Sequence, residues 1–209
     1  MNRVSIPLHH SWQENPELLD VQLMEPRQRC GLASMEMLIE YYLQTPVPAE
    51  EIFRRSESYQ AVNEHNDWWH PGQVRVLVSY GILAWRRNWT APTQNPQYFA
   101  DHEGYGPEQM QAVREQIASE STMRANSERL VIALRRSLNQ HCPVLLSVKS
   151  GFSKNSENHQ ILVSGWDPDA LTYEVHDPVH QTGPDVISEL RLLEYANYWA
   201  IFTRPGREG

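Results

Sequence analysis

Residues 158–179, NHQILVSGWDPDALTYEVHDPV, constrain the fold more than any other stretch of the chain. Two short runs rich in β-branched and aromatic residues flank Asp167-Pro168-Asp169, a strong turn signal, so a β-hairpin is expected here. With Pro168 as the centre of the turn, residues equidistant from it pair across the strands, and His159 and Asp177 are such a pair. Directly opposite residues of an antiparallel pair point to one face with Cβ atoms about 4.5–5.5 Å apart. The spacing therefore predicts that the Asp177 carboxylate orients the His159 imidazole and stabilises its charged form.

The same strand character extends through the C-terminal third, in VLLSV after Pro143 and in the segment Tyr198–Arg204. Earlier residues have a different period. From Gly31 to Leu43, GLASMEMLIEYYL places Leu32, Met35, Leu38, Ile39 and Tyr42 at helical spacings, and Pro46 and Pro48 end the run. A second helix is expected from Pro48 to Tyr59, opened by proline and the acidic pair Glu50-Glu51, and a third from Pro71 to Tyr80, ended by Gly81. Helical pattern returns over 108–119 and again over 127–139, with Leu130, Ala133, Leu134 and Leu138 on one face. Residues 88–107 hold Pro92, Pro96, Gly104, Gly106 and Pro107 and are expected to form a long surface excursion of the kind that flanks binding clefts. These patterns predict an α+β fold, with N-terminal helices packed on a C-terminal antiparallel sheet. A single domain over residues 1–209 is expected, with 1–17 as an extended arm.

Charge and composition narrow the function. A net charge of −8, from 18 basic and 26 acidic residues, disfavours a phosphate-tracking nucleic-acid surface. The Arg-Arg pairs at 54–55, 86–87 and 135–136 are scattered, and each is expected on a solvated helix face or loop. The longest apolar-rich run, Val76 to Trp85, is about half the ~20 residues needed to cross a bilayer, so no membrane insertion is expected. No apolar core followed by a small-residue cleavage site opens the chain, which points to the cytoplasm and leaves export by a signal-independent route open. Asn88-Trp89-Thr90 is then a chance match to a glycosylation acceptor.

Only two cysteines occur, Cys30 and Cys142, too few for a disulfide scaffold and without the spacing of a zinc site. Cys30 directly precedes a predicted helix, where free backbone N–H groups and the positive end of the macrodipole favour a thiolate. Gly31 would let a substrate carbonyl approach the backbone. A buried structural thiol is the bland alternative for Cys30, but nucleophile first, base about 130 residues later and carboxylate soon after is the chain order of papain-like sites. Cys142, ahead of Pro143 and an apolar strand, is expected to be a packed thiol. His176 and His180 are separated by Pro178, which argues against a helix bringing them together on a metal, and His9-His10 diverge in any regular structure. Trp68-Trp69-His70, Trp85 and Trp89 are expected mainly as core aromatics.

CGLASMEMLIEYY resembles the nucleophile helix of the peptidases that remove double-glycine leaders from bacteriocins, and of their soluble relatives. CPVLLSVKSG, NHQILVSGW and YEVHDPV are similar to that family's later strands, so the resemblance spans about residues 18–204. It implies a papain-like fold with Cys30 as nucleophile, His159 as general base and Asp177 as the third member. One motif departs: five or six residues before the nucleophile, where the family places an oxyanion-hole glutamine, stand Met24 and Glu25. Gln22 and Gln28 are the neighbouring candidates for that donor. The leading expectation is a thiol-dependent hydrolase that cleaves a peptide bond in a protein or peptide substrate through an acyl-enzyme, with no cofactor and no metal. A papain-like amidase, deamidase or transpeptidase is the alternative, and a non-catalytic binding protein on this scaffold a further one. No ATP-binding domain of the kind that accompanies leader exporters is expected, so bacteriocin export is not implied.

Overall fold

A computed structural model describes residue 11 and residues 29–62, 68–89, 106–111, 120–152 and 158–206. The arm expected over 1–17 and the excursion expected over 88–107 therefore lie almost wholly outside the described residues, as does most of the helix expected over 108–119.

Helix α1 is Cys30–Leu43, and every residue from Cys30 to Ile39 is buried. Such a helix is covered all round and so carries little amphipathic signal. It stops where Gln44 adopts the left-handed conformation, φ 55°, and returns its N–H to the Glu40 carbonyl at 2.8 Å, just ahead of Pro46. Helix α2, Ala49–Ser58, follows Pro48, with Glu50 and Glu51 in its first turn as the dipole favours. Helix α3, His70–Ser79, has proline in its first turn and ends before Gly81, φ 79°.

Among the described residues the sheet has six strands, all antiparallel: β1 Leu83–Asn88, β2 Val144–Lys149, β3 Asn158–Asp167, β4 Thr172–His176, β5 Asp185–Ser188 and β6 Ala196–Arg204, in the spatial order β1-β6-β2-β3-β4-β5. Helix α4, Glu120–Leu138, precedes β2, and the short α5, Glu189–Tyr195, joins β5 to β6. Helices packed on an antiparallel sheet are the expected architecture, with one correction: β1 comes from the helical half to pair with β6, so Arg86-Arg87 lie on this edge strand rather than on a helix or loop. The helices cover both faces of the sheet. Helices α1–α3 pack with Leu145, Leu162 and Ile201, whereas α4 and α5 pack with Val144, Leu146, Ile161 and Val163. Alternate residues of β2 and β3 thus serve two cores, which is why both strands are apolar on consecutive positions. The helix expected over 127–139 begins earlier, at Glu120, and Leu130, Leu134 and Leu138 are its fully buried residues.

Candidate active site

Cys30 opens α1 and is 5% exposed. Arg29 gives no side-chain cap, and none of the first-turn residues is acidic, so neither competes for the backbone N–H groups beside the thiol. Gly31 has another role than the one its sequence suggests. A Cβ built on it would stand 2.6 Å from three atoms of the Trp68 ring, so the indole lies directly against the helix backbone. The space is filled by Trp68, not left open to a substrate. Trp68 is half-buried at the edge of the α1–α3 core, in keeping with the expected packing role.

His159 lies near the start of β3 and Asp177 just beyond the end of β4. Nε2 of His159 and Oδ1 of Asp177 are 2.6 Å apart, with both side chains 3% exposed. The contact is the expected one, but the strand register behind it is not. Asp167 pairs with Thr172, so the turn comprises Pro168–Leu171 and its centre lies beyond Pro168. The cause is local: Oδ1 of Asp167 accepts the N–H groups of Asp169 and Ala170 at 2.9 and 3.2 Å, and Leu171 is left-handed, φ 51°. Continued unchanged, that register would set position 177 against Leu162, on the face opposite His159. A shift at Ser164, between the pairs Val163↔Val175 and Gly165↔Glu174, removes one step and sets position 177 against Ile161. Asp177 then meets His159 diagonally, two residues along the same face. The irregularity was signalled in the sequence by Gly165, an isolated glycine within a strand pattern.

The carboxylate is held from behind as well. Its Oδ1 accepts the Val179 N–H at 2.9 Å, and the His180 N–H donates to the Asp177 carbonyl at 3.0 Å. Burial works against ionising either partner, yet the pair wins. For His159, desolvation opposes the charged ring, but hydrogen bonds to Asp177 and Cys30 and the charges on both raise its pKa to about 10. For Asp177, desolvation favours the neutral acid, but the His159 hydrogen bond and charge, the Val179 amide and His180 together hold the pKa below its usual value. The Cys30 thiol is thus close enough to the imidazole that Asp177 holds to contribute to its raised pKa.

The remaining candidates fall elsewhere. Gln22 and Gln28 lie outside the described residues, as do His9 and His10. Cys142 is buried and its thiol donates to the Gln140 carbonyl at 3.3 Å, a packed thiol as expected. His176 is buried opposite Leu162, whereas His180 is half-exposed and paired with Asp185.

A thiol at a helix head, an imidazole and a carboxylate on a neighbouring antiparallel sheet define the class: the fold is the papain-like α+β fold of cysteine peptidases. The family model for the Peptidase C39-like family matches residues 13–206, and the chain belongs to that family. Among solved structures the chain is similar to a double-glycine-motif protease from an AMS/PCAT transporter, solved in complex with the leader peptide. The identity there is 13%, over 97% of this chain and 94% of that one, with a TM-score of 0.50. It is also similar to a structure described as a C39-like peptidase from Bacillus anthracis, at 11% identity over 98% of each chain with a TM-score of 0.55. No curated protein matches the chain. No helix among the described residues is long and apolar enough to cross a membrane.

Proposed function

We propose that this protein is a cysteine peptidase in which Cys30 is the nucleophile, His159 the general base and acid, and Asp177 the residue that holds the imidazole. Asp177 accepts the Nε2–H of His159, which leaves Nδ1 to take the proton of the Cys30 thiol. The Cys30 sulfur attacks the carbonyl carbon of the scissile peptide bond. His159 then returns its proton to the leaving nitrogen as the C–N bond breaks, giving the acyl-enzyme and a free amine. Water, deprotonated by His159, cleaves the thioester and restores the thiol. The observation that carries this reading is the buried 2.6 Å contact of His159 with Asp177, made by an imidazole whose raised pKa owes part of its shift to the thiol at the head of a 14-residue helix.

The developing oxyanion is assigned to the Cys30 backbone N–H and to Gln22 or Gln28. Alanine at the one that donates lowers turnover by about 10²–10³-fold, and alanine at the other leaves it unchanged. The family match over residues 13–206 supports taking the chain as one domain, and a cytoplasmic peptide or protein segment is the proposed substrate. Mass spectrometry of a proteome incubated with the protein, and in parallel with Cys30→Ala, tests the activity. New peptide termini present only with the wild type are expected. Side-chain deamidation without new termini would turn the assignment to a deamidase on the same chemistry, and identical digests would refute both.

A further inference from the structure

The thiol and the imidazole stand on different elements, α1 and β3, so nothing local in the chain sets their separation. A buried polar path joins those elements beside both groups. Ser34, four residues after Cys30 and so on the same side of α1, donates through Oγ to the carbonyl oxygen of Gln160 at 3.1 Å. Gln160 adjoins His159, and its side chain meets Gln73 of α3 in a reciprocal amide pair. Gln73 Nε2 donates to Gln160 Oε1 at 2.7 Å, and Gln160 Nε2 donates to Gln73 Oε1 at 3.2 Å. Ser34 and Gln73 are fully buried, and Gln160 nearly so. The approach to α3 also supplies Trp68, whose ring lies on Gly31 beside the thiol. The start of α3 is itself seated tightly, since a Cβ on Gly72 would come within 2.3 Å of the Ala61 Cα. Helix α3 and its approach therefore touch the immediate neighbours of both reacting groups.

Stability alone does not call for two amides here, because replacing both partners of a buried hydrogen bond with apolar groups of the same shape can be nearly neutral. Direction is what the amides add. Hydrogen bonds weaken steeply away from their preferred angles, whereas apolar contacts let elements slide. A misplacement of about 1 Å between reacting groups can cost on the order of 10²-fold in rate.

We propose that Ser34, Gln160 and Gln73 are positioning residues, a buried clamp running from α3 through β3 to α1 that fixes the distance between the Cys30 thiol and the His159 ring. The clamp rests on the roles proposed for Cys30 and His159. Its test compares the wild type with Ser34→Ala and with the double variant Gln73→Met/Gln160→Met, which removes both amides together and leaves neither unpaired. Ser34→Ala loses a single hydroxyl and keeps the test open if the double variant does not fold. Three quantities are read: the thermal midpoint, the rate at which iodoacetamide modifies Cys30 at neutral pH, and the titration of the His159 ring by NMR. The clamp predicts a midpoint near that of the wild type, Cys30 alkylation slowed about ten- to a hundredfold, and a His159 titration moved down from its raised position. Wild-type alkylation and titration in a folded variant would overturn it, as would a rate that falls only in proportion to the folded fraction. If Cys30 reacts no faster than Cys142 in the wild type itself, the roles assigned to the site fall and the clamp falls with them.

Discussion

Cys30 and Cys142 are 5% and 3% exposed, so burial does not distinguish them. Their neighbours do. Cys30 stands at the N-terminal end of α1 against an imidazole held by a buried carboxylate. Cys142 stands two residues before β2, bonded to the Gln140 carbonyl, and desolvation pushes its pKa up despite a Tyr42 hydrogen bond and the charge of Arg204. Under the proposed function, the same side chain at the same depth is reactive in one place and inert in the other. What differs is whether the surroundings stabilise the charge that chemistry would put there.

The largest effect should come from exchanging each thiol for alanine. Cys30→Ala is expected to lower turnover by roughly 10⁴-fold or more, while Cys142→Ala keeps turnover at the wild-type level. Equal loss in the two variants, measured on the substrate found by proteomics, would erase the contrast.

Asp177→Asn comes next. An amide can still orient the ring but brings no charge to stabilise the imidazolium, so a loss of about 10²–10⁴-fold is expected, smaller than that of Cys30→Ala. Because Asp177 helps raise the His159 pKa to about 10, the alkaline limb of the pH–rate profile should move to lower pH in this variant. A limb that stays in place would mean that another group governs it.

Gly31→Ala should cost about 1–3 kcal/mol of stability, since the new methyl meets the Trp68 ring and the core must shift to admit it. Urea unfolding measures this, and a neutral substitution would show that Trp68 does not bear on the helix.

The smallest effect concerns Cys142 and pH. Its folded pKa is raised above the ordinary 9.0, so the neutral thiol contributes stability that is present below that value and is lost as pH rises through the folded pKa. Above pH 9.0 the wild-type thermal midpoint should therefore fall more steeply than that of Cys142→Ala. Parallel curves would place the alkaline sensitivity elsewhere.

How much of this was legible in the sequence follows from how local each cause is. The β3–β4 hairpin and the His159–Asp177 contact could be anticipated because turn residues and strand alternation are local signals. The register could not be fixed, because the Asp167 side chain and Leu171 lengthen the turn and the shift at Ser164 then restores the face, and Gly165 marks an irregularity without giving its direction. Two departures from the simple register combine to keep the expected pair. Strand β1 was unreadable for another reason: LAWRRN lacks clean alternation and becomes a strand through its pairing with β6, more than a hundred residues later. The contact of Trp68 with Gly31 is likewise non-local. Of the candidate site, the residues proposed as nucleophile, base and carboxylate could be singled out by residue type and chain order, whereas a single oxyanion donor could not, since neither Gln22 nor Gln28 stands at the family spacing.

The central claim is that His159, held by Asp177, makes Cys30 the reactive thiol. Its most direct test is partial alkylation by iodoacetamide near neutral pH, followed by peptide mapping of both cysteines in the wild type and in His159→Ala. The account predicts rapid modification of Cys30 and slow modification of Cys142 in the wild type, with the gap largely closed in His159→Ala. Equal labelling in the wild type, or an undiminished preference for Cys30 without the imidazole, would contradict it.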